Sequence, residues 1–123
     1  MNNFDTLKAD FPDMYSDVYC GCEHPEGWNK LVYELSQQLS LVPVAIRVTQ
    51  TKEKFGGLRF YVDYVVDEPT PTTDIAIKLA YNIITYTEHR SLTTCQDCGE
   101  WGHLNTKGWL LTLCKECATK RGR

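Results

Sequence analysis

Two C-x-x-C units, Cys95-Gln96-Asp97-Cys98-Gly99 and Cys114-Lys115-Glu116-Cys117-Ala118, stand 15 residues apart near the end of the chain, and few local folds satisfy that spacing. Each unit directs two thiolates to one point, and a hairpin between them brings four sulfurs around a single tetrahedral ion. Four thiolates close the coordination shell. The pattern therefore predicts a structural zinc held by Cys95, Cys98, Cys114 and Cys117, with no open position for catalysis. Gly99 suits a left-handed turn in which backbone N–H groups approach the thiolates, whereas Ala118 departs from that pattern. The N-terminus has no basic start followed by an apolar run, so a reducing, cytoplasmic setting is expected, where paired cysteines ligate metal. No uncharged apolar run approaches the roughly 18 residues of a membrane span, so no membrane partner is expected.

A chain of 123 residues supports one hydrophobic core and not two. We read an α+β body over residues 1–94 and a zinc-ribbon-like module over 95–123, packed together as one domain. A short first helix stops at Phe11-Pro12, and residues 13–25 have loop composition. Trp28, Leu31, Val32, Leu35 and Leu39 share one helical face, which predicts an amphipathic helix from Trp28 to Ser40. Val44, Ile46 and Val48, then Leu58, Phe60, Val62 and Tyr64, alternate with polar positions around Phe55-Gly56-Gly57, which predicts an antiparallel hairpin. After Pro69-Thr70-Pro71, a cap at Thr73 or Asp74 and the spacing of Ile75, Leu79, Ile83 and Tyr86 predict a second amphipathic helix from Asp74 to His89. Two helices then cover one face of a small sheet. Within the module, Trp101, Leu104, Trp109 and Leu111 either pack against the metal hairpin and the body, the expected outcome, or are presented to a partner, and His103 is assigned to a loop.

The net charge of -3 is unevenly distributed. Residues 1–46 sum to -5, 47–62 to +3, 63–94 to -3 and 95–123 to +2. An acidic body with two basic islands excludes wholesale coating of nucleic acid and leaves room for a local contact. In the first island Arg47, Lys52, Lys54 and Arg59 interleave with Phe55, Phe60 and Tyr61, and Arg47, Lys52, Lys54, Phe55, Arg59 and Tyr61 are a candidate ligand or partner surface; a solvated hairpin tip shaped by glycines reads the same residues structurally. Cys20, Cys22 and His24 form a candidate second metal site, although C-x-C-x-H is tighter than the usual zinc turns; the alternative is buried or partly exposed thiols in a loop leading to Trp28. A nucleophilic cysteine with His24 or another histidine as base is a weaker reading. No paired-carboxylate, Ser-His-Asp or phosphate-loop pattern is present, so the chain is not expected to be an enzyme.

Cys20-Gly21 near Gly27-Trp28, the string KEKFGGLRFYVD at residues 52–63, TCQDCG and GWLLTLCKECA together resemble small proteins of tailed phages and prophages that carry a KEKFGGLRFY motif and a C-terminal cysteine finger. The resemblance spans Tyr19 to Ala118 and implies a phage accessory protein; Cys22 and His24 depart from the simpler Cys-Gly-Gly-Trp type of start. It brings no assigned activity. The expected function is binding and modulating a host or phage protein, for example as an inhibitor of host machinery or defence. The alternatives are a nucleic-acid-binding zinc-ribbon regulator using the hairpin, the module and Lys120 to Arg123, and a small-nucleotide sponge with Lys54 and Arg59 on phosphate.

Overall fold

The structure, a computed structural model, describes residues 3–16 and 21–123. Helix α1 (Phe4–Asp10) ends just before Phe11-Pro12, and a 3-10 turn at Glu26–Trp28 leads into α2 (Asn29–Leu39). α2 buries Leu31, Val32, Leu35 and Leu39, the face its spacing predicts. An isolated helix of these 11 residues is too short to persist in water. Burial holds it instead, at roughly 1.5–3 kcal/mol for each fully covered aliphatic side chain. Trp28 lies fully buried beside it, and Tyr15 reaches into the same core, where its hydroxyl pairs with Ser36 Oγ at 2.6 Å.

Strands β1 (Ala45–Lys54) and β2 (Gly57–Val65) form the predicted antiparallel hairpin. Phe55 and Gly56 turn it with φ of 55° and 82°, the two left-handed central residues of a type I′ turn, whose twist matches that of the strands. The Glu53 carboxylate accepts the Gly56 N–H at 2.7 Å and braces the turn. The pairing jumps from Val48↔Val62 to Gln50↔Tyr61, which leaves Thr49 as a bulge. One extra residue reverses the parity of the strand. Ile46 and Val48 face the core before it and Thr51 after it, while Gln50, Lys52 and Lys54 turn outward. Unbroken alternation would have driven both lysines inward.

Helix α3 (Pro71–Ser91) is longer than the spacing predicts. Its cap is Thr70, whose Oγ1 accepts the Thr73 N–H at 3.1 Å, and Pro71 occupies the first turn, where its missing N–H is harmless. Its buried face also differs. Ala76, Ala80, Ile84, Thr87 and Ser91 face inward, whereas Ile75, Leu79 and Tyr86 are 68%, 48% and 64% exposed. Small residues let the helix lie close to the edge of β2, where Ser91 Oγ accepts the Leu58 N–H at 2.8 Å and Glu88 Oε2 the Phe60 N–H at 2.9 Å. This face of the helix thus satisfies two backbone donors on the edge of β2. Burial raises the Glu88 pKa, opposed by the Phe60 N–H and by Arg59. Along β1 the chain itself supplies the partners: Met14 O accepts from Val48 N–H, and Gly21 O from Thr51 N–H.

Strands β3 (His103–Asn105) and β4 (Leu111–Leu113) and helix α4 (Lys115–Lys120) complete an α+β fold whose C-terminal cysteine cluster is compatible with a zinc ribbon. Cys95, Leu111, Leu113 and Cys117 form a small core of their own. Polar contacts tie it to the larger one. Gly27 N–H donates to Gln96 O at 2.8 Å, and Trp28 Nε1 to Thr94 O at 2.8 Å. The Thr112 hydroxyl donates to Gly56 O at 2.6 Å, while inside the module the Thr112 N–H donates to Gln96 Oε1 at 2.7 Å. Gln96 and Thr112 are both buried, so these bonds are made away from competing water. Among the described residues, no helix is long and apolar enough to cross a membrane.

Candidate metal centre

The first cysteine turn is closed by Cys95 N–H donating to Glu100 O at 2.7 Å and Gly99 N–H to Cys95 O at 2.9 Å. Gly99 has φ of 83°, and a side chain there would also meet Gly27 O at 2.8 Å. Glycine is therefore required twice over. The second turn is built differently. Cys114 caps α4, with its Sγ accepting the Cys117 N–H at 3.3 Å, and Ala118 lies inside the helix, donating to Cys114 O at 2.9 Å. A helical residue needs no left-handed backbone, which is why alanine serves at the position corresponding to Gly99.

The four Sγ atoms of Cys95, Cys98, Cys114 and Cys117 all lie within 4.8 Å of one another, and Cys98 and Cys114 are 3.7 Å apart. Sulfurs about 2.3 Å from a tetrahedral ion are separated by about 3.8 Å, so a slight contraction of this cluster encloses a metal. Electrostatics favour it too. Burial acts to raise the Cys95 pKa, but N–H groups of Cys114, Cys98 and Asp97 pointing at its sulfur outweigh this and lower it to about 7. The Cys117 thiol is pushed up, first by its hydrogen bond with Cys114. The protons are thus shared unequally among close sulfurs, an arrangement a divalent cation replaces with four equivalent bonds. Arg121 clamps the centre from outside, donating to Asp97 from Nε at 2.6 Å and Nη2 at 2.8 Å, and this pairing lowers the Asp97 pKa.

Of the other candidate ligands, Cys20 lies outside the described residues. Cys22 is buried, bridges to Thr51, and has its thiol pKa raised by that burial. His24 is buried with both ring nitrogens engaged: Nε2 donates to Asn29 Oδ1 at 3.1 Å, and Nδ1 accepts from Thr51 Oγ1 at 2.7 Å. Burial lowers its pKa to about 4, against the opposing pull of the Asn29 bond, so it is neutral near pH 7. Among the described residues, neither Cys22 nor His24 belongs to a metal-sized cluster of three or more ligating groups.

The candidate hairpin surface is assembled as one face, with Lys52 Nζ 5.7 Å from the Tyr61 ring centroid and Lys54 Nζ 5.6 Å from that of Phe55. Arg59 stands opposite Lys52 in the register, and Arg47 donates to Ser16 Oγ at 2.9 Å. Within the module, Trp101, Leu104 and Trp109 are 70%, 43% and 75% exposed, contrary to the packing expected of them, and only Leu111 is buried. The interior of so small a unit is filled by Leu111, Leu113 and the cysteines. His103 opens β3 and meets the Trp101 ring edge-on at 4.9 Å. Sequence reasoning missed Gly27, Gln96 and Thr112, which join the module to the body; Gly27-Trp28 was visible as a motif, but its partner was not. Compared with known proteins, the chain matches no protein-family model, no curated protein and no solved structure.

Proposed function

We propose that the chain is a non-enzymatic accessory protein of tailed-phage type that holds one structural zinc ion and binds a host or phage protein in the host cytoplasm, altering that protein's activity. Zinc is supported by the donor set, since four thiolates at tetrahedral spacing suit a borderline-soft, redox-inert dication. A closed four-sulfur shell leaves no coordination position for a substrate, and His24 has both nitrogens committed to hydrogen bonds. The KEKFGGLRFY string supports the phage affiliation.

The observation that carries the protein partner is the outer stripe of α3. Ile75, Leu79 and Tyr86 fall on one side of a 21-residue helix and stay exposed because the small-residue face took the core. A helix presenting uncovered aliphatic and aromatic side chains at these intervals is a common protein-docking element. The test is affinity capture from nuclease-treated host lysate with the zinc-loaded chain and with a Leu79→Asp/Tyr86→Asp variant. One protein should be retained by the wild type and lost by the variant, which keeps its fold and metal. Equal retention by both, or loss of every partner on nuclease treatment, refutes the reading.

A further inference from the structure

We propose that the outer face of the β1–β2 hairpin, carrying Lys52, Lys54, Phe55, Arg59 and Tyr61, binds single-stranded nucleic acid. This goes beyond the protein partner assigned to α3 and does not depend on it.

The face exists because of the bulge at Thr49, which turns Lys52 and Lys54 out beside Arg59 and Tyr61 of β2. Neither lysine forms an ion pair with a described residue, and each ammonium instead lies over an aromatic ring. Glu53 accepts the Gly56 N–H and Glu88 the Phe60 N–H, and the acid that shares this face, Asp63, stands opposite Arg47, away from the tip. The result is two adjoining pairs of one cation and one aromatic face. An unpaired base stacks on the ring as the flexible lysine that lay over it swings to the phosphate, a combination that works for any base. Bases inside a duplex keep their faces covered, so the same pairs favour a single strand.

Two further observations bear on the tip. Phe55 adopts φ of 55° and is 64% exposed, in a turn position that glycine, asparagine or aspartate fills with less strain. Packing gives no reason for a strained, exposed phenylalanine there; stacking on a base does. The tip is also pinned to the metal module by the Thr112 bond to Gly56 O, and a side chain at Gly56 would come 2.5 Å from Leu104 Cδ1. Two segments far apart in sequence, with net charges of +3 and +2, thereby meet at the hairpin tip.

The test is fluorescence anisotropy of a fluorescein-labelled oligothymidylate of about 20 nucleotides, long enough for at least one such site, titrated with the zinc-loaded full chain. The single strand should bind more tightly than a duplex of equal length. Lys52→Ala/Lys54→Ala should weaken binding and flatten its salt dependence by about 0.7 for each phosphate no longer neutralised. Tyr61→Ala should weaken it about five- to hundredfold, the effect of losing one base stack, with the salt slope unchanged. Phe55→Gly separates function from folding, since it should raise stability by relieving the positive φ and still lower affinity. The proposal is overturned by absence of wild-type binding at about 50 mM salt, by duplex bound as tightly as single strand, or by unchanged affinity in all the variants. Labelled polyglutamate bound as tightly as the oligonucleotide would also overturn it, assigning the face to an acidic protein segment.

Discussion

Replacing Gly27 with alanine adds one methyl group at the junction between the body and the metal module. Gly27 has ordinary backbone geometry, so the substitution costs nothing in φ or ψ; its effect is steric. The new Cβ would lie 2.2 Å from Cys95 O and 2.5 Å from the carbonyl carbon and oxygen of Gln96. All three are backbone atoms of the first cysteine turn, so relief requires moving the turn itself. Overpacking of this kind costs about 1–3 kcal/mol or more. The shift also stretches the Gly27–Gln96 and Trp28–Thr94 hydrogen bonds, both 2.8 Å, each worth about 1 kcal/mol. The expected loss is about 3–5 kcal/mol, a large part of the roughly 5–15 kcal/mol that stabilises a typical domain. Urea unfolding followed by circular dichroism measures it, and zinc release to a chromophoric chelator reports the strain on the metal site. Gly57→Ala is the matched control, because its one tight neighbour would be the flexible end of Leu92, Cδ2 at 3.1 Å, with Lys54 O and Ser91 Oγ at ordinary contact distance, and it should change stability by no more than about 1 kcal/mol. If Gly27→Ala is as mild as the control and binds zinc normally, the close docking of body and module is wrong.

Cys98 is exposed, so Cys98→Ser removes little packing, and any large loss must pass through the metal. Elemental analysis should find one zinc per wild-type chain and none in the variant, with the module's amides losing protection because structural zinc contributes roughly 10–16 kcal/mol of apparent binding to folding. Thr112→Val keeps the shape but leaves the buried Gly56 carbonyl without its donor, costing about 1–3 kcal/mol and speeding hydrogen exchange at the hairpin tip. Acid should destabilise the fold through His24. The native ring titrates near 4 and the unfolded one near 6.5, so within that window the unfolded chain binds the extra proton and stability falls as pH falls. The contribution, complete below about pH 4, is about 3 kcal/mol at 1.36 kcal/mol per pH unit. Comparing urea midpoints of wild type and His24→Gln across that range isolates it from titration of the thiols; parallel curves would refute it.

Much of this protein is written locally. The C-x-x-C spacing determines that four sulfurs converge, because short turns and a connecting hairpin leave the thiolates few other arrangements. The i, i+3, i+4 spacing of Leu31, Val32, Leu35 and Leu39 selects the buried face of α2, and Phe55-Gly56 in the alternating run selects the hairpin. Non-local contacts decided the rest. The face that α3 buries is the one that brings Ser91 and Glu88 to amides on the edge of β2, contacts that no periodicity within the helix records. The bulge that turns Lys52 and Lys54 outward follows from the register with the opposite strand, and the roles of Gly27, Gln96 and Thr112 arise only where distant backbones meet. Side-chain spacing records which residues prefer burial. It does not record which backbone donors will lie beside them, and buried donors must be satisfied wherever the chain brings them.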